Sequence, residues 1–110
     1  MAIEIKYTTY FEKQIKHLSK KYPSIYSDLK ILSSEIELNP ESGISLGKNF
    51  YKIRMAVSAK GRGKSGGARV ITYVLIKEDT VYLAAIYDKS EYSTIDTSRL
   101  LKIIQANFMP

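Results

Sequence analysis

Hydrophobic residues keep helical spacing through residues 11–36 of this chain and strand spacing through residues 51–87, and that order limits the folds open to it. Phe11, Ile15 and Leu18 form one helical stripe, and Ile25, Leu29, Leu32 and Ile36 form a second. Tyr51, Ile53, Met55 and Val57 then alternate with Lys52, Arg54 and Ala56, giving a strand with an apolar face and a cationic face. The run Val70 to Ile76 is mostly apolar, as in a strand at mid-sheet, and Val81 to Tyr87 supplies the next strand.

Punctuation completes the pattern. Ile3, Ile5 and Tyr7 alternate with polar residues as a short half-buried strand, and Thr8 or Thr9 can cap the first helix. Tyr22-Pro23 breaks the first stripe, with Pro23 suited to the first turn of a second helix that ends at Asn39-Pro40. Glu41 to Asn49, with Gly43 and Gly47, reads as a loop. Lys77 to Thr80 reads as a hairpin turn, and Asp88 to Tyr92 as a polar exit loop. Asp96 caps a last helix with Leu100, Ile103 and Ile104 in a stripe and Phe108 as a late contact. The order β-α-α-β-β-β-α predicts an α+β fold. A curled, mainly antiparallel four-stranded sheet would carry an N-terminal helical hairpin on one face, plus a C-terminal helix. The 110 residues suffice for a single domain, residues 1–110, and for no more than one.

Charge is distributed unevenly over this frame. Residues 42–77 hold Lys48, Lys52, Arg54, Lys60, Arg62, Lys64, Arg69 and Lys77 and no Asp or Glu, a charge of +8 in a chain of net +6. At the centre lies Lys60-Gly61-Arg62-Gly63-Lys64-Ser65-Gly66-Gly67-Ala68-Arg69, a Gly-punctuated cationic loop between two strands. Such a concentration of positive charge steers polyanions and releases counterions from phosphates, so nucleic acid is the expected partner.

Several chemistries are ruled out by composition. With no cysteine, neither a disulfide nor a thiolate nucleophile or metal ligand exists. His17 is the single histidine and lies off the first helical stripe, so His-pair acid–base catalysis is excluded and no metal or other cofactor is expected. The triplet Gly63-Lys64-Ser65 is no phosphate-binding P-loop, because Ser58 stands where that motif needs glycine and a strand follows instead of a helix. The N-terminus has no apolar run of signal-peptide length, and no window reaches the length of a membrane span, so a cytoplasmic protein without membrane contact is expected.

Three segments together, Tyr51-Lys52-Ile53-Arg54, Lys60 to Ile71 and Ile86-Tyr87-Asp88-Lys89-Ser90-Glu91, resemble the RelE/ParE superfamily of toxins from type II toxin–antitoxin modules. Within it the chain is similar to the HigB-like, RelE-type branch, over nearly its whole length. The resemblance implies a small RelE-like fold and an mRNA interferase, that is, a ribosome-dependent endoribonuclease. Such a toxin cuts mRNA in the A site by metal-free attack of a ribose 2′-oxygen on the adjacent phosphate, and so inhibits translation. ParE relatives share the fold and inhibit DNA gyrase by binding. A non-catalytic RNA- or ribosome-binding module is a third reading.

On this resemblance Arg69 corresponds to the arginine used on the scissile phosphate. Lys52 and Arg54, which share one strand face, match the basic pair used for proton transfer and charge stabilisation. Lys89 matches the C-terminal basic position, and Tyr87 is close enough to stack on a base or transfer a proton. The family's tyrosine further into the C-terminal segment falls at Ile95 here, leaving Tyr87 or Tyr92 to take its place, with Glu91 either a carboxylate base or the cap of the exit turn. Lys48, Lys60, Arg62, Lys64 and Tyr92 are the expected contacts to RNA or ribosome. The implied partners are a cognate antitoxin, the ribosome with its rRNA and mRNA, and operator DNA through the antitoxin complex only.

Overall fold

A computed structural model describes residues 2–61, 63–91 and 95–109. Its elements are β1 (Glu4–Tyr7), α1 (Thr9–Lys21), α2 (Ile25–Leu38), β2 (Ile44–Gly47), β3 (Phe50–Met55), α3 (Gly63–Gly66), β4 (Ala68–Leu75), β5 (Thr80–Asp88) and α4 (Thr97–Phe108). The fold is α+β, with a five-stranded, mostly antiparallel sheet in the order β1-β5-β4-β3-β2. β1 runs parallel to β5, and the other pairs are antiparallel.

The two helical stripes lie where their spacing puts them. Phe11, Ile15 and Leu18 of α1 and Ile25, Leu29, Leu32 and Ile36 of α2 are buried against Ile53, Met55, Val70, Leu83 and Ile86 on one face of the sheet. Thr8 caps α1: its hydroxyl oxygen accepts from the Phe11 N–H at 3.0 Å. The same hydroxyl donates to the Ala84 carbonyl at 3.1 Å, which joins the start of the helix to β5. Leu100 and Ile104 of α4 cover the other face over Phe50, Ile71, Tyr82 and Ala85, and the Phe108 ring lies 4.9 Å from that of Tyr82. The apolar stripe of the last helix thus docks on the molecule's own sheet. The result is three layers, with β4 central and all nine residues of β5 buried.

The sheet has one strand more than the sequence pattern predicts. β2 falls in the segment expected to be a loop, because it is four residues long, exposed throughout and bounded by glycines. Gly43 lies at φ +97°, and a Cβ there would collide with the Lys52 carbonyl, so the glycine is what lets the chain enter the pairing with β3. Lys48 and Asn49 link β2 to β3 as a two-residue turn with φ of +52° and +70°, the handedness that matches strand twist. The basic loop also has structure: residues Ser58–Lys60 form a 3-10 turn, and α3 adds one helical turn.

Candidate active site

Strand register assembles the candidate residues. Arg54 of β3 lies directly opposite Arg69 of β4, and Arg69 lies directly opposite Tyr87 of β5. Directly opposed residues project from the same face with Cβ atoms about 5 Å apart, so the three form one row across the sheet. Lys52 precedes Arg54 by two residues and shares that face. The row grades from solvent to core: Arg54 is exposed, Arg69 half-buried and Tyr87 only 4% exposed. α4 covers the apolar remainder of this face, which leaves the row at its edge.

The Arg69 guanidinium is held by main-chain carbonyls. It donates to the oxygens of Lys64 (3.3 Å), Ser65 (3.1 Å) and Ala68 (3.1 Å), which places it against α3. Among the described residues no carboxylate pairs with Lys52, Arg54, Arg69 or Lys89. Burial raises the Tyr87 hydroxyl above its ordinary value, while the nearby Arg69 charge pulls it down without prevailing. Tyr87 carries its proton at neutral pH, as an ordinary tyrosine does, and burial makes it a weaker acid that gives the proton up only to a stronger base. Its ring belongs to the core beneath α4.

The other candidates spread further. Lys89 is exposed just past β5, and its backbone N–H donates to the Gly67 carbonyl at 3.3 Å. Lys64 is 65% exposed with Glu35 at 4.0 Å, a surface pair of little strength, and it lines a depression of about 130 Å³ together with Arg54 and Glu35. Lys48 sits in the β2–β3 turn, more than about 13 Å along β3 from Arg54, and is not part of the cluster. Arg62 and Tyr92 lie outside the described residues.

Lys60 departs from the expectation of an open RNA contact. Its ammonium lies 3.0 Å from Asp88 Oδ1, with the two side chains 16% and 7% exposed, and 5.4 Å from the centre of the Tyr22 ring. Asp88 also accepts from the Tyr22 hydroxyl at 2.6 Å and from the Ser90 N–H at 3.2 Å. Burial alone would raise the Asp88 carboxyl; the hydrogen bonds from Tyr22, Lys60 and Ser90 outweigh it and hold the group well below the usual carboxylate range. A cation so closely matched and desolvated serves the fold. Glu91 accepts from the Asp88 N–H at 2.9 Å and so caps the exit turn, the second of its two readings.

Sequence reasoning missed this network, together with Asp28, which binds Ser58 across thirty residues. Its one local signal is that Asp28 adjoins the apolar stripe of α2 at Leu29. Among the described residues no three His, Asp or Glu side chains converge as a metal site requires, and no helix is long and apolar enough to cross a membrane.

No family profile matches the chain. Over 64 residues, 54% of its length, it is 34% identical to the β-subunit of an ADP-forming succinate–CoA ligase from Coxiella burnetii, in strains Dugway 5J108-111 and CbuG_Q212. The chain covers 15% of the length of these relatives. Its fold is similar to the solution structure of HP0892, a conserved hypothetical protein from Helicobacter pylori. The TM-score is 0.51 at 20% identity, over 81% of this chain and 97% of that one. That likeness is one of fold.

Proposed function

We propose that this chain is a RelE-type toxin of a type II toxin–antitoxin module, acting as a ribosome-dependent endoribonuclease on mRNA in the A site. The observation that carries the reading is the row Arg54–Arg69–Tyr87, with Lys52 on the same face and no carboxylate paired to its cations among the described residues. In the proposed reaction the ribose 2′-oxygen forms a bond to the adjacent phosphorus while the bond from phosphorus to the 5′-oxygen breaks. The products are a 2′,3′-cyclic phosphate and a free 5′-hydroxyl. Arg69 and Arg54 stabilise the extra charge of the pentacovalent phosphorane. Tyr87, protonated at neutral pH as a phenol ordinarily is, gives its proton to the departing 5′-oxygen, a far stronger base. The 2′-proton passes to water, Lys52 adds its charge at the scissile phosphate, and Lys89 holds a flanking phosphate. The cognate antitoxin, through acidic segments, is the natural partner of so basic a surface. The ligase similarity covers too little of the ligase subunit to carry its activity here.

Primer extension on a message translated in vitro tests the reading, with Arg69→Ala and a ribosome-free lane beside the parent protein. Codon-spaced cuts, present with the parent and absent from both other lanes, are expected. A message left intact by folded protein would overturn the nuclease reading, and inhibition of gyrase supercoiling would then be measured.

A further inference from the structure

The stem of the basic loop is fixed with unusual completeness. Three consecutive residues are each tied to another part of the molecule. The Ser58 N–H and hydroxyl donate to the two Asp28 oxygens at 3.0 and 2.7 Å. The Ala59 N–H donates to Ser24 Oγ at 2.9 Å, and Ser24 in turn donates to Asp28 at 2.8 Å. The Lys60 ammonium reaches Asp88 at 3.0 Å. Asp28 and Asp88 are 5% and 6% exposed, so both carboxylates are desolvated and matched.

The returning stem is fixed as well. The Gly67 carbonyl accepts from the Lys89 N–H, and a Cβ at Gly67 would collide with the Met55 carbonyl, so the chain passes there only as glycine. Two residues beyond Gly67 comes Arg69, and on either side of Asp88 come Tyr87 and Lys89. The carboxylate that holds Lys60 therefore sits in the backbone between two candidate site residues, and it closes the loop that leads into the third.

We infer that Lys60 and Asp88 are positioning residues of the candidate site: their buried pair locks the loop stem against the end of β5 and so sets where Arg69, Tyr87 and Lys89 stand relative to one another. Lys60 is then the one described cation of the basic loop that does not grip RNA. The inference rests on the proposed nuclease reading, and it separates two roles that charge alone would merge. A gripping cation contributes to RNA affinity and to its salt dependence; a positioning one contributes to the rate after binding.

Cleavage kinetics on programmed ribosomes, with RNA affinity measured against salt by fluorescence anisotropy, distinguish the two. Lys60→Met is expected to lower kcat by about tenfold or more while leaving KM and the salt slope at parent values, since small misplacements cost rate steeply. Lys60→Arg, which keeps the charge on Asp88, should restore most of the rate. Lys64→Ala should instead raise KM and reduce the salt slope by about one. A Lys60→Met protein that behaves like Lys64→Ala, with kcat intact, overturns the inference. If the parent cuts nothing, the nuclease reading falls, and amide exchange decides the remainder. Faster exchange at Gly67 and Lys89 in Lys60→Met supports the positioning role, and unchanged exchange overturns it. Lys60→Arg keeps the comparison open should Lys60→Met fail to fold.

Discussion

At the residue scale, the most telling side chains are those whose neighbours change their chemistry. Tyr87 ends the cationic row with its phenolic proton in place, so Tyr87→Phe removes a donor while keeping the ring. Single-turnover cleavage should slow by about 10²-fold with circular dichroism unchanged. Asp88 makes the opposite statement. Its folded-state carboxyl lies below the unfolded value of about 3.9, so its contribution to stability is complete above that value and is lost as pH falls below it. The melting temperature of Asp88→Asn should therefore lie furthest below the parent near pH 7. The gap should narrow below about pH 4, with a loss of about 3 kcal/mol at neutral pH, as expected for one partner removed from a buried pair. Neither property was legible in sequence. Lys60 and Asp88 are 28 residues apart, and only the folded sheet shows that this lysine of the basic cluster is neutralised. Arg54, Arg69 and Tyr87 could each be singled out by motif, yet their alignment in one row depends on register, which spacing does not encode.

At the scale of elements, helices were the most legible. The buried faces of α1 and α2 are the stripes that periodicity predicts, because each turn repeats the same side to the core. Thr8 was one of two candidate caps, and its choice over Thr9 follows from tertiary structure, since only Thr8 also reaches the Ala84 carbonyl. Thr8→Ala should cost about 2 kcal/mol in urea denaturation, and Thr8→Ser markedly less. β2 was illegible for a related reason. Its apolar residues, Ile44 and Leu46, remain exposed, so burial leaves no signature in its sequence, and pairing with β3 is set by a left-handed turn at Lys48-Asn49.

For the whole molecule, the division between the two sheet faces organises everything else. One face belongs wholly to the helical hairpin; the other is shared between α4 and the cationic row. Excess positive charge then governs association from a distance, whatever chemistry follows. If the five cations Lys52, Arg54, Lys64, Arg69 and Lys89 each neutralise a phosphate, the logarithm of affinity for single-stranded RNA should fall against the logarithm of salt with a slope of about −3.5. Anisotropy titrations from low to physiological salt measure it. The way Arg69 rests in the free protein bears on how quickly such an encounter can become productive. Its hydrogen-bonding appetite is met by three neutral carbonyls, so its charge stays undiminished and visible to an approaching anion. An arriving phosphate displaces only dipoles and breaks no ion pair. The arginine is like a moored boat: held in place, ready to leave, and carrying its full cargo of charge to whichever anion docks first.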